Sequence, residues 1–163
     1  MRKAIVVASC LLATAAAAGT ETLGGWTTTS EPDDGRATLV TALAAARGAS
    51  QDDPSFLIVR CLGGRTEALV GTAGDWGLPR SSLEVVTQSG SGAQETSRWD
   101  VSTNGKAVFR SEGVEDFLRR LPDDGRLTIE VRDRIGGVHA NAFSLEGFGE
   151  VRARVASACG WTP

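Results

Sequence analysis

Residues 56–70 read Phe-Leu-Ile-Val-Arg-Cys-Leu-Gly-Gly-Arg-Thr-Glu-Ala-Leu-Val, and this stretch decides the class of fold. The apolar run at 56–62 is bounded by Pro54 on one side and by two glycines on the other, which is typical of a core strand. Gly63-Gly64-Arg65 is short enough for a hairpin, and residues 66–70 supply the returning strand. The stretch therefore predicts a pair of antiparallel strands in the middle of the protein.

Strand and turn patterns recur at close spacing on both sides of this hairpin. Asn104-Gly105 lies between two alternating runs, which is the strongest local indication of a hairpin, and residues 126–132 alternate strictly between apolar and polar. Helical spacing of apolar residues predicts helices over 113–121 and 147–158. Further strands are predicted at 25–30, 36–45, 82–89, 98–102, 106–109 and 138–145. We therefore predict a mainly β protein, an antiparallel β-sandwich or partly closed barrel of about eight strands, with two short helices near the C-terminus.

The composition favours one ordinary globular domain. The chain has 163 residues, of which 41% are hydrophobic and 23% are charged, and its formal net charge is −3. The 17 Lys and Arg residues are dispersed along the chain, with only Arg2-Lys3 and Arg119-Arg120 adjacent, so no basic groove for nucleic acid is expected. Ordinary apolar content and a small net charge argue against a disordered chain.

The first eighteen residues have the pattern of an export signal. Met1-Arg2-Lys3 is a short positive segment, residues 4–15 form a nearly unbroken apolar run, and Ala16-Ala17-Ala18 supplies the small residues that signal peptidase accepts. The apolar run is too short to span a bilayer. We therefore expect a signal peptide at 1–18 and a single β-rich domain at 19–163. The expected location is periplasmic or secreted, with no transmembrane span in the mature chain.

Export gives the three cysteines different roles. Cys10 leaves with the signal peptide, although Val-Ala-Ser-Cys at 7–10 resembles a lipoprotein box and makes lipidation of Cys10 an alternative. Cys61 and Cys159 remain, and two cysteines in an oxidising compartment predict a disulfide, with two separate buried thiols as the alternative. No zinc site is expected, because two cysteines and one histidine without close spacing do not form a cage.

No catalytic or cofactor motif stands out. His139 is the only histidine, no Gly-x-Ser-x-Gly motif is present, and His139 is interpreted as a histidine of the sheet surface or a satisfied core histidine. The pairs Asp33-Asp34, Asp52-Asp53 and Asp123-Asp124 lie in turn segments, where aspartate bonds its own backbone, and none has calcium-loop spacing. The glycine pairs lack a nucleotide-binding fingerprint. We therefore expect no catalytic, cofactor or metal residues.

The aromatic residues divide into core anchors and one surface candidate. Trp76 lies in a glycine-rich connection and is predicted to be an exposed contact for a partner. The predicted core anchors are Trp26, Trp99, Trp161, Phe117 and Phe143.

Several landmarks occur in a fixed order along the chain. Trp26 is followed by Ser-Glu-Pro-Asp-Asp-Gly at 30–35, by Leu-Ile-Val-Arg-Cys at 57–61 and by Arg-Thr-Glu at 65–67. The series continues with Trp-Asp-Val-Ser-Thr-Asn-Gly at 99–105, Phe-Leu-Arg-Arg-Leu at 117–121, Phe-Ser-Leu-Glu-Gly at 143–147 and Ala-Cys-Gly-Trp at 158–161. This ordered set covers nearly the whole mature chain and resembles the type VI secretion system-associated VasI (TagO-like) family.

The resemblance implies a function in the bacterial cell envelope. Members of that family are small, exported, β-rich accessory proteins without an established enzymatic activity. It implies a non-enzymatic periplasmic accessory or binding protein with a protein partner, for which secretion-system components are candidates. The Arg-Cys and Ala-Cys-x-Trp landmarks agree with the predicted disulfide. Two alternatives are a periplasmic inhibitor of a secreted hydrolase (lysozyme or protease) and a cell-wall hydrolase that uses a carboxylate pair.

Overall fold

The computed structural model describes residues 19–32, 38–46, 54–74, 76–79, 81–133 and 135–163. The predicted signal peptide with Cys10, and the aspartate pairs at 33–34 and 52–53, lie outside the described residues. The strands are Gly19–Leu23 (β1), Trp26–Pro32 (β2), Thr38–Ala45 (β3), Ser55–Leu62 (β4), Arg65–Thr72 (β5), Leu83–Ser89 (β6), Gln94–Val101 (β7), Ala107–Arg110 (β8), Arg126–Arg132 (β9) and Val138–Ser144 (β10). The helices are Val114–Arg120 (α1) and Phe148–Cys159 (α2).

All of these strands belong to one antiparallel sheet. Their order is β1-β2-β3-β4-β5-β8-β7-β6-β9-β10. The sheet curls until β10 reaches the end of β3, where a single bridge joins Ala46 and Phe143. The prediction of a mainly β, antiparallel fold is confirmed, and the form it takes in the described residues is one incompletely closed sheet rather than two stacked sheets.

Two details differ from the prediction. The described residues contain ten strands rather than about eight: the nine segments placed from the sequence, and β1, Gly19–Leu23, which was not predicted. This segment has little apolar alternation of its own, and its pairing with β2 makes it a strand. Helix α1 precedes the last two strands, so α2 is the helix near the C-terminus.

Alternation along the strands fills the interior of the curled sheet. In β9, Leu127, Ile129 and Val131 are buried, and the residues between them are half-exposed, as the period of two requires. Helix α2 covers the inner face of β3, β4 and β5, and its Phe148 packs 5.4 Å from the ring of Trp26. The inner face of the sheet and α2 therefore form the main core.

The predicted core anchors lie in or against this core. Trp26, Trp99, Phe117 and Phe143 are buried, and Trp161 is half-buried and packs against the same cluster. Trp99 meets Phe117 of α1 edge-to-face at 6.4 Å. This contact helps to attach α1 to the sheet.

Candidate interaction surface

The outer face of the sheet carries apolar side chains that the core does not use. Leu43, Ile58, Leu69 and Phe109 lie opposite one another across β3, β4, β5 and β8. Directly opposed side chains in antiparallel strands are about 4.5–5.5 Å apart, so these four form a continuous line, the outer apolar row. Leu69 in its centre is 5% exposed, and the other three are half-buried.

The sequence of β4 explains part of this row. Leu57, Val59 and Cys61 point into the core, and Phe56 and Ile58 alternate to the outer face. Outer positions of an antiparallel sheet with one solvated face are ordinarily polar. An apolar outer face is a feature of surfaces that bind protein partners.

A groove with a volume of about 620 Å³ lies beside the outer apolar row. The pairing of β5 with β8 stops at Leu69 and Phe109, although β5 extends further, because the chain leaves the sheet after Arg110. It enters α1 through Gly113, whose φ of 59° is in the left-handed region that favours glycine. Leu62, which is 39% exposed, and Phe109 contribute apolar surface to the groove.

The β4–β5 wall of the groove is held by an ion-pair cluster. Arg60 donates from Nε to Oε2 of Glu67 at 2.7 Å, and Arg65 donates from Nη2 to Oε1 at 2.8 Å. Both arginines and Glu67 line the groove. Because one carboxylate serves two guanidinium groups, most of its hydrogen-bonding capacity is used within the protein.

The opposite wall of the groove, the β7–β8 wall, is held by Arg110, whose side chain is nearly buried. Its Nη1 donates to Ser97 Oγ at 2.9 Å, its Nη2 donates to Glu95 Oε1 at 2.8 Å, and its guanidinium lies 4.5 Å from the centre of the Phe117 ring. The hydrogen bond from Arg110 holds the pKa of Glu95 below its ordinary value, against the partial burial of the carboxylate and with a further contribution from Arg120. Arg110 therefore joins β7, β8 and α1.

The predicted disulfide lies behind the groove. Cys61 of β4 is bonded to Cys159 at the end of α2, with a Cα–Cα distance of 5.5 Å. Beyond it, Trp161 donates from Nε1 to Thr66 Oγ1 at 2.8 Å, and the guanidinium of Arg119 lies 4.9 Å from the Trp161 ring. The cross-link ties the C-terminal residues to β4, and Trp161 ties them to β5 and α1.

Trp76 does not lie on the surface, so the prediction of an exposed contact there is wrong. It is 4% exposed and belongs to the core cluster, as does Leu78. Its ring stacks on His139 at 5.3 Å with an interplanar angle of 19°. The glycine-rich sequence correctly indicated a connection, but Trp76 and Leu78 anchor that connection inside the curled sheet.

His139 lies on the inner face of β10, opposite Val131. Its Nε2 is 3.4 Å from Oδ2 of Asp133. Desolvation alone would raise the pKa of Asp133. The backbone N–H groups of Gly137 and Ile135 donate hydrogen bonds to its carboxylate, and together with His139 they lower its pKa below the ordinary value. The cluster shapes the β9–β10 turn.

One member of the aspartate pair at 123–124 is used within the protein. Asp123, in the turn before β9, forms an ion pair with Arg152 of α2, which also donates to the carbonyl of Leu121 at 2.7 Å. Within the described ranges, no group of three or more His, Cys, Asp or Glu side chains is placed to hold a metal ion.

No helix in the described part of the chain combines the length and the apolar character needed to cross a membrane.

Comparison with known proteins places the chain by its fold. No family model matches it, and no curated protein is significantly similar to it. Among solved structures, the chain is similar to the crystal structure of invasion associated protein B from Bartonella henselae, with a TM-score of 0.52 and 16% identity, over 85% of this chain and 95% of that chain. At this identity the likeness shows a common fold.

The outer apolar row and the groove were missed by the sequence reasoning. The apolar run at 56–62 was the available signal for an apolar outer face, because it is too continuous for a strand with one solvent-exposed face. Apolar residues at 43, 69 and 109 added no signal by themselves, because only the strand order brings them into one line.

Proposed function

We propose that this protein is a non-enzymatic accessory protein of the bacterial envelope, which binds a protein partner through the outer apolar row and the groove. The observation that carries the proposal is the outer apolar row, which crosses four neighbouring strands on the side away from the core. Binding surfaces of this kind combine a partly apolar centre with a charged rim. Here Leu62 and Phe109 supply the apolar part, and the ion-pair cluster around Glu67 supplies charge beside it.

The disulfide supports the exported location. Disulfides persist in oxidising compartments and are rare in the cytosol. The bond between Cys61 and Cys159 therefore fits a protein that folds after export. It agrees with the signal-peptide pattern at 1–18.

The resemblance to VasI-like proteins supports a partner in the type VI secretion apparatus. Two of its landmarks, Arg60-Cys61 and Cys159-Gly160-Trp161, come together in the fold through the disulfide and the hydrogen bond from Trp161 to Thr66. The landmarks thus mark residues that support the groove. This juxtaposition supports the accessory role that the resemblance implies.

In-cell photo-cross-linking tests the proposal. A benzoylphenylalanine at position 62 lies in the groove, and one at Ala140, which is exposed on the outer face of β10, is the matched control. In the native host we expect a specific adduct with a secretion-apparatus component from position 62 and none from position 140. Failure of position 62 to form a specific adduct, or an adduct with a lysozyme or protease instead, would contradict the accessory role.

A further inference from the structure

We infer that the groove accepts a segment of the protein partner in which a Lys or Arg side chain neighbours a large apolar side chain. This inference rests on the proposed function and specifies the chemistry of its partner. It follows from the volume of the groove, its apolar lining and the distribution of unpaired charge along its two walls.

The apolar requirement comes from Leu62 and Phe109. Leu62 is among the few large apolar side chains that are more than a third exposed in the described residues, and it lines the groove from β4, whereas Phe109 lines it from β8. The groove volume of about 620 Å³ is within the range of about 300–1,000 Å³ that is typical of ligand pockets. The groove therefore has room for a large partner side chain.

The arginines of the lining already have carboxylate partners. Arg60 and Arg65 both bind Glu67, and Arg110 binds Glu95. The cluster around Glu67 retains one net positive charge, but this charge lies on the β4–β5 wall. A partner anion would have to compete with Glu67 for the same guanidinium groups.

The β7–β8 wall presents two carboxylates, Asp100 and Glu112, that have no partner among the described residues. Asp100 lies opposite Phe109 in the β7–β8 pairing, and Glu112 follows β8 before α1. Both are exposed lining residues, and neither carboxylate has a hydrogen bond or ion pair to any part of the chain that the structure describes. Free negative charge therefore lies opposite Phe109 at Asp100 and elsewhere in the same groove at Glu112.

A cation is the complement of this wall. An ammonium or guanidinium beside Phe109 would be attracted both by the two carboxylates and by the face of the ring. Its apolar neighbour in the partner would then reach Leu62. Opposite charges at the rim of an interface chiefly fix orientation and increase the rate of association.

The cross-linked partner provides the test. Proteolysis of the adduct formed at position 62 should yield a contact segment with a Lys or Arg within about three residues of a large apolar residue, because the two carboxylates and Leu62 line the same groove. In cross-linking of the purified mature protein with the partner so identified, Asp100→Asn combined with Glu112→Gln should lower the adduct yield by about twofold to thirtyfold at low salt, since two exposed ion pairs are lost. The reduction should shrink at high salt. Glu84→Gln, which neutralises an exposed carboxylate on β6, is the matched control and should leave the yield unchanged.

The possible outcomes separate this inference from the proposed function. A normal adduct whose yield does not respond to the double substitution, or whose contact segment is acidic, overturns the inference and leaves the proposed function standing. Absence of an adduct at position 62 overturns both. Both substituted side chains are exposed, so the melting temperature of the double variant should equal that of the wild type.

Discussion

Removal of the Cys61–Cys159 disulfide should lower stability substantially without destroying the fold. The two cysteines are 98 positions apart, so the bond closes most of the domain into one loop. The loop-entropy relation gives about 4.7 kcal/mol for a loop of roughly 100 residues, and measured effects are typically about 2–4 kcal/mol. The bond thus contributes a large share of the roughly 5–15 kcal/mol that is usual for a domain.

The folded form should survive because other contacts keep α2 in place. Val151 and Val155 are fully buried beneath the sheet, and Trp161 donates to Thr66 independently of the disulfide. For a domain of about 150 residues, each kcal/mol shifts the melting temperature by roughly 2–4 °C. Loss of the bond should therefore lower the melting temperature by about 5–15 °C.

Thermal unfolding of the mature protein, followed by circular dichroism with and without dithiothreitol, measures this shift. A variant with both Cys61→Ser and Cys159→Ser is the matched control. It should melt at the lower temperature and be insensitive to dithiothreitol. Equal melting temperatures of the oxidised and reduced wild type, or two free thiols in protein purified from the periplasm, would refute the reasoning.

Three further predictions concern packing, backbone strain and pH. Trp99→Ala removes a fully buried ring and should destabilise the fold by about 3–5 kcal/mol in urea unfolding, so a near-neutral result would remove Trp99 from the core. Gly24→Ala and Gly63→Ala both place a side chain at positive φ, but a Cβ at Gly24 would collide with the backbone of Glu146, while one at Gly63 meets nothing within 4 Å. Gly63→Ala should cost about 1–2 kcal/mol and Gly24→Ala clearly more, and equal losses in the same assay would contradict the close approach. Because the pKa of Glu95 is lowered from 4.5, its ionised form stabilises the fold above that pH, and this stabilisation is lost as the pH falls through the lowered pKa. Glu95→Gln should therefore lower the melting temperature at pH 7 and should make the melting temperature fall less steeply below pH 4.5. The same fall in the variant and the wild type would argue against the Arg110 ion pair.

The parts of the fold that depend on local sequence could be predicted. The run at 56–62 became β4, and the strict alternation at 126–132 became β9, because periodicity is a local property. Gly63 and Gly64, both at positive φ, form the tight turn between β4 and β5 that their sequence indicated.

The parts that depend on distant pairing could not be predicted. Burial of Trp76 requires the sheet to curl until His139 comes within stacking distance, and nothing in the glycine-rich connection reveals this. The groove exists because β8 leaves β5 at Phe109, and the outer apolar row exists because strand order aligns side chains far apart in sequence. A continuous apolar run shows that both faces of a strand are apolar, but not that one of them is left outside the core.

A single substitution in the groove tests the central claim most directly. Leu62→Asp places a charge on an exposed side chain, and Ala140→Asp places the same charge on exposed β10. In a deletion strain of the native host, complemented with each variant at equal abundance, secretion by the type VI apparatus is measured. We expect Leu62→Asp to leave the melting temperature unchanged but to reduce secretion towards that of the deletion strain, while Ala140→Asp restores it. Wild-type secretion with Leu62→Asp, or undiminished secretion in the deletion strain itself, would contradict the proposal.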